Sequence, residues 1–369
     1  MCRPLTVRWH QLRSTRAERA SELSSGRYHS DMTTLAELAR QTGVTAATVS
    51  NVMRGRGKVS EETRLRVLAA AEAMNYRPNL MARALAEGRP STIALMVSSI
   101  ANPFYPEFAL EVERAARRAG YFLLVCNTND DPAQEKAYLD AVGGSLAQGV
   151  IVMNADLVKP EALVEIRRRG VPVVLCMWEL PQSPPPLPCV AVEFYQAGVL
   201  AAEHLLKLGH RVLGAVVGSE PAGNHRWRLQ GFVDTLERAG IPIPIGHQRF
   251  GHDTIDDGRN AAHGLLAAVP GITGIFATND LPAFGVLQAA SDLGLEVPRD
   301  LSVVGVTDIQ LAHQMRPALT TVAVPTAEAA SLAVQMLFDD MRAEPGSAPS
   351  MSVTSTPRLV VRASTGKAS

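Results

Sequence analysis

The chain has 369 residues, of which 46% are hydrophobic and 20% charged, enough for two or three globular domains with full cores. Thirty-six Lys and Arg balance 36 Asp and Glu, so the chain is not basic throughout and any nucleic-acid contact must come from a local basic face. No run approaches the roughly 18 uncharged apolar residues of a membrane span, which excludes a spanning helix.

The N-terminal MCRPLTVRWHQLRSTRAERASELSS carries arginines but lacks the apolar stretch of an export signal, so a cytoplasmic protein is expected. Residues 1–31 show no helical or strand period and read as a disordered extension, either a start assigned upstream of Met32 or a basic arm. Cys2, Cys126, Cys176 and Cys189 form no CxxC and no metal-ligand spacing; buried free thiols are expected, with no disulfide and no cofactor.

Residues 32–77 read as three short helices. Thr34 with Glu37 forms a capping box, Leu35, Leu38 and Ala39 supply an apolar face, and Gly43 ends the first helix. A second helix is expected from about Thr45 to Met53, stopping at Gly55 and Gly57. Ser60 caps a third, Glu61 to Met74, with Leu65, Leu68 and Ala69 as its apolar spacing. Between Met32 and Ser60, Arg40, Arg54, Arg56 and Lys58 face the single Glu37. Residues 78–90 form a linker with a short amphipathic piece too short to be helical alone.

From residue 91 to 369 the pattern changes. Apolar β-rich runs (TIALMVS, YFLLVCN, GVIVMN, VPVVLCM, RVLGAVVG, GIFATN, LSVVGVT) alternate with helical stretches at 106–119, 132–148, 159–169, 194–208, 228–239, 258–268, 280–293 and 326–341. Continuous apolar strands separated by helices predict parallel sheets covered on both faces. Seven strands and the intervening PQSPPPLP at 181–188 exceed one ordinary sheet, so two doubly wound subdomains are predicted, with ligand chemistry at the carboxyl ends of the strands.

Helix, Gly43-containing turn and second helix match a helix-turn-helix, whose second helix enters the DNA major groove. VTAATVSNVM is poor in large side chains, which lets its backbone approach the groove, while Thr45, Thr48, Ser50 and Asn51 can hydrogen-bond to phosphates or bases. The stretch TLAELARQTGVTAATVSNVMRGRGKVSEETRLRVLAAAEAMNYRPNLMARAL resembles the headpiece and hinge of the lactose/galactose repressor (LacI/GalR) family of bacterial transcription regulators. The resemblance continues through ANPFYPEF, GYFLLVCNTNDD, HLLKLGHR, ATNDLPAFG, VPRDLSVVGVTD and ALTTVAVP, to about residue 365.

That resemblance implies roles for particular residues. Ala46, Ala47 and Asn51 would face base edges, and Thr34, Thr45, Ser50 and Lys58 would lie near phosphates. Asn51 stands where many members carry arginine, and Arg54 where many carry asparagine, so the operator would differ from the commonest one. Tyr76, Asn79 and Ala82 lie in or beside the implied hinge, and Leu85 matches the apolar wedge that unstacks a base step. The core would resemble sugar-binding proteins whose two lobes close on a small molecule. Phe104 and Tyr105 match residues packing on the effector, Arg228 the arginine that grips its oxygens, and Asp280 the carboxylate that accepts from it. Trp178 sits where purine-binding relatives place a ring, and Asp253 near an often aromatic position; the first favours a nucleobase-like ligand, the second a sugar. Glu193 and Phe194 replace the usual Asp-Asn after the lobe crossover.

Catalytic signatures are missing: GRGKVS lacks the first glycine of a P-loop, no GxSxG or HExxH occurs, and His204 and His210 read as surface or helix-end residues. The sequence therefore predicts a non-enzymatic, effector-responsive regulator, usually a repressor in this family. It would act as a homodimer, or a tetramer, on a pseudo-palindromic operator, without membrane contact. The competing reading is a sugar-binding transport protein, which residues 92–365 alone would suit.

Overall fold

The computed structural model describes residues 33–76, 91–153, 160–179, 182, 184–221, 225–344 and 346–368. Two compact units divide the chain, residues 1–88 and 89–369. The expectations for residues 1–31 and for the hinge residues Asn79, Ala82 and Leu85 fall outside the described residues.

Among the described residues the first unit has three helices, α1 Leu35–Thr42, α2 Ala46–Met53 and α3 Glu61–Ala73. Each starts on the capping residue the sequence offers. Thr34 accepts from the Glu37 amide while the Glu37 carboxylate accepts from the Thr34 N–H, and Thr45 and Ser60 accept from the amides of Thr48 and Thr63. Gly43 ends α1 in the left-handed conformation (φ 67°), which a side chain would strain. Leu38, Ala39, Val49, Val52, Val67 and Ala71 form the core. The apolar face predicted for α3 is the wrong one. Leu65 and Leu68 are 60% and 43% exposed and Ala69 is exposed, while Val67 and Ala71 point inward. Leu65 and Leu68 are the larger apolar residues, but the tight packing of α1 against α2 leaves space for Val67 and Ala71.

The second unit is two α/β lobes. In chain order it runs β1 Thr92–Val97, α4 Phe104–Arg118, β2 Phe122–Asn127, α5 Pro132–Ala141, β3 Val150–Met153, α6 Pro160–Arg168, β4 Val173–Trp178 and β5 Cys189–Ala191. It continues with α7 Phe194–Lys207, β6 Leu213–Val217, α8 Arg226–Arg238, β7 Gln248–Phe250, α9 Ile255–Ala268, β8 Gly274–Ala277, α10 Asp280–Asp292, β9 Ser302–Thr307 and α11 Leu311–Gln314. The last elements are β10 Thr320–Ala323, α12 Thr326–Asp340, β11 Met351–Val353 and β12 Arg358–Val360. One sheet is ordered β11-β5-β4-β3-β1-β2, the other β12-β10-β9-β8-β6-β7. All pairings are parallel except β10 with β12. The short strands β5, β7, β10, β11 and β12 were not among the predicted runs: three or four residues carry too little period to read.

The chain passes between lobes three times, after β5, after β10 and between β11 and β12. Consequently α12, which follows a strand of the second sheet, packs on β3, β4 and β5 of the first. Two helix pairs in the second lobe cross backbone to backbone. A Cβ on Gly198 in α7 would stand 1.9 Å from the Arg228 carbonyl oxygen of α8, and one on Gly285 in α10 would stand 2.2 Å from the Ile255 carbonyl oxygen of α9.

Cys126, Cys176 and Cys189 are free and buried as expected. His210 stands just past the end of α7, one of the two places expected for it, but is buried. It is 1% exposed, with Nδ1 bonded to the Thr273 hydroxyl and Nε2 to the Gly366 carbonyl, tying the C-terminal tail to the lobe. No described helix is long and apolar enough to cross a membrane, and the described residues contain no metal-binding cluster of His, Cys, Asp and Glu.

Candidate ligand cleft and nucleic-acid interface

The cleft is built where strands of both sheets end, as the topology of doubly wound sheets dictates. From the first lobe come Asn102 in the loop after β1, Phe104 and Tyr105 at the start of α4, and the end of β4. From the second come Gly218 after β6, Arg228 on α8, Asp253 after β7, and Thr278 and Asn279 after β8.

Asp253 is the centre of a bridge between lobes. Its Oδ2 accepts from the Asn102 amide at 2.7 Å and from the Asn279 amide at 2.6 Å, while Oδ1 is buried with no partner among the described residues. Burial raises its pKa from the ordinary 3.8 to about 6, opposed by the Arg228 charge and by both amide bonds. Space for this carboxylate depends on Gly218: a Cβ there would lie 3.1 Å from Asp253 Oδ1 and from the His225 ring. His225 is fully buried, bonds the Thr278 hydroxyl at 3.0 Å, and is held neutral by burial and by the Arg228 charge.

A second bridge joins the lobes beside it. Arg228 gives Nη2 to Glu179 Oε1 at 2.9 Å and Nη1 to the Thr278 carbonyl at 2.9 Å, and its Nε finds no partner among the described residues. Its guanidinium lies 4.1 Å from the Phe194 ring centroid, a cation–π contact within the buried site. Glu179 is aimed by a slip in strand register between Cys176 and Trp178, with Met177 in the left-handed region (φ 61°).

Of the predicted effector residues, Phe104 and Tyr105 are 8% and 7% exposed and meet edge to face at 5.7 Å. At the lobe junction Arg228 is buried, and Asp253 is half-buried with its Oδ1 shut away from solvent. Trp178 is half-buried against the cluster of Leu163, Leu187 and their neighbours behind the first sheet, and the adjacent Glu179 reaches Arg228 instead. Asp280 is fully buried and engaged by the protein. Thr321 donates to its Oδ1 at 2.6 Å; Thr307 and the Ile309 amide donate to Oδ2 at 3.2 and 2.9 Å. Burial raises its pKa to about 7. It connects to the cleft through Thr307, whose hydroxyl also donates to Asn279 Oδ1.

Asn102, Gly218, His225, Glu179 and Asn279 were not picked out by the sequence. Only Asn102 and Asn279 had a readable signal, each an Asn just ahead of the helix that follows an apolar strand.

In the first unit, Thr45, Ala46 and Ala47 are exposed at the start of α2, with Thr48, Ser50 and Asn51 partly so. No acidic residue lies in that first turn, so the amides and positive end of α2 face outward unopposed. The Thr45 and Thr48 hydroxyls are bonded at 2.9 Å, and the Arg54 guanidinium bonds both the hydroxyl and carbonyl of Ser50. Arg54 and Lys58 are exposed just beyond α2; Thr34 is exposed at the start of α1; Tyr76 packs half-buried on the small core.

Comparison with known proteins agrees with both parts. Residues 34–79 match the model described as bacterial regulatory proteins, lacI family, and residues 202–365 match a periplasmic binding protein-like domain. The chain is 35% identical to the HTH-type transcriptional regulator DegA of Bacillus subtilis, over 80% of this chain and 88% of that one. It is 32% identical to the HTH-type transcriptional repressor PurR of Photorhabdus laumondii, over 90% and 97%. Its fold superposes on the structure of a transcriptional regulator CelR–cellobiose complex with a TM-score of 0.67 and 28% identity, covering 90% and 99%. A transport protein has no need of the matched headpiece, and the relatives are regulators rather than enzymes. The chain therefore belongs to the lacI family of bacterial regulatory proteins and is a DNA-binding transcriptional regulator.

Proposed function

We propose that the chain is a cytoplasmic repressor that binds a pseudo-palindromic operator as a homodimer and releases or grips it according to a small effector held in the cleft. The observation that carries this reading is the pair of lobe-to-lobe bridges through Asp253 and Arg228, each side chain with one buried hydrogen-bonding atom left over. An effector that satisfies those atoms changes how the lobes meet, and its differential affinity for two lobe arrangements is the whole of the coupling to DNA. CelR is solved with cellobiose, which supports a sugar here.

On the DNA, Ala46, Ala47 and Asn51 read base edges and Thr34, Thr45, Thr48, Ser50, Arg54 and Lys58 hold phosphates, with Tyr76, Asn79 and Ala82 flanking the hinge and Leu85 as the wedge. In the cleft, Phe104 and Tyr105 supply apolar surface, Arg228 and Asp253 the polar contacts, and Asp280 supports them through Thr307, while Trp178 packs on the core of the first lobe. The test is selection of genomic fragments by the full chain at moderate ionic strength, beside a chain lacking residues 1–88. Enrichment of a two-fold site by the first and none by the second is expected; no preference over random duplex refutes the reading.

A further inference from the structure

We propose that Glu179, ion-paired with Arg228 through Nη2, makes the cleft reject anions, so that the effector is an uncharged, hydroxyl-rich molecule rather than a phosphorylated or carboxylated one. This rests on the reading of the cleft as the effector site.

Arg228 is the one buried guanidinium among the described residues, and its side chain and that of Glu179 are 7% and 10% exposed. The cation is thus neutralised inside the protein before any ligand arrives. Asp253 adds a second carboxylate, and His225 is neutral. Two acids face one cation, and an entering phosphate or carboxylate would place a further negative charge in a site with little water to screen it. What the protein leaves open is a donor, Arg228 Nε, and an acceptor, Asp253 Oδ1. A hydroxyl both donates and accepts, so neighbouring hydroxyls of a polyol answer both atoms without bringing charge. The Phe104 and Tyr105 rings, which open the helix just after the Asp253-bonded Asn102, suit the C–H faces of such a molecule. Glu179 is then a specificity-determining residue: it holds Arg228 for hydroxyls and withholds it from anions.

The test uses inorganic phosphate as the probe, titrated against chloride at matched ionic strength, with the melting temperature of the full chain as readout. Wild type should show no saturable rise. Glu179→Gln with Asp253→Asn keeps the shapes and most hydrogen bonds but removes both negative charges; phosphate should then stabilise the chain saturably, at least tenfold more tightly than wild type. Adding Arg228→Gln should erase that gain. Glu179→Gln alone should gain less, and circular dichroism verifies that each variant is folded. Saturable phosphate binding by wild type that Arg228→Gln abolishes would overturn the inference, as would a folded double variant with no gain. Neither outcome depends on DNA, so failure of the functional reading appears separately, in the fragment selection.

Discussion

Asp253→Asn should make the chain more stable near neutral pH while silencing its response to effector. The carboxylate bonds Asn102 and Asn279 through Oδ2, and the amide oxygen of an asparagine can accept from both. What changes is the charge. Burial raises the Asp253 pKa from 3.8 to about 6, with the Arg228 charge opposing that rise. Between those values the folded chain holds a proton that the unfolded chain has released, so stability falls as pH rises through the window and stays lowered above it. At about 1.36 kcal/mol for each tenfold change in proton affinity, the loss is on the order of 3 kcal/mol by pH 7.5. The variant escapes that loss. Urea denaturation of both chains near pH 4 and pH 7.5 should give similar stabilities at the acid end and a more stable variant at the other. Asp280, raised to about 7 by burial, contributes the same further fall in both chains. A variant less stable than wild type at pH 7.5, or a gap unchanged between the two pH values, refutes the reasoning.

Gly198→Ala should force α7 and α8 apart, because its Cβ meets the Arg228 carbonyl oxygen at 1.9 Å and the Phe232 amide at 2.6 Å; a loss of about 3 kcal/mol, or roughly 6–12 °C by calorimetry, is expected. Thr45→Ala removes the cap of α2 and should cost the headpiece about 1 kcal/mol, read as faster amide exchange in α2 and weaker operator binding. Leu65→Ala should change stability by no more than about 0.5 kcal/mol whereas Leu38→Ala costs about 2–5 kcal/mol, since the first side chain is 60% exposed and the second is buried; equal costs in urea melts would put the α3 face back where its sequence spacing placed it.

What the sequence revealed depended on how local the determinant was. Caps, turn glycines and strand runs act within a few residues, so Thr34, Thr45, Ser60 and Gly43 were legible, as were eight of the nine described helices α4–α12 to within about three residues at their starts, the four-residue α11 being missed. The helix predicted over 132–148 is the exception: α5 stops at Ala141 and the chain loosens into a wider turn over Val142–Leu146, where Gly143 and Gly144 weaken the helix. The cleft was legible only in part. Asn102 and Asp253 stand 151 positions apart and Arg228 and Glu179 49 apart. No periodicity encodes which acid an arginine will meet across two lobes, so nothing in the sequence marked Glu179 as the partner of Arg228. The choice between Leu65 and Val67 failed for a related reason: the buried face of α3 is decided by the shape of α1 and α2, not by its own hydrophobicity.

The three passages between lobes leave neither half contiguous in the gene. The first sheet is completed by β11 and the second by β12, both within the last twenty residues, and α12 reaches back to cover strands translated about 150 residues earlier. A nascent chain must therefore wait with two unfinished edges until residues 351–360 have been made. A premature stop after Thr326 would cripple both halves together, and a single protease nick in one passage would still leave them tethered by the other two.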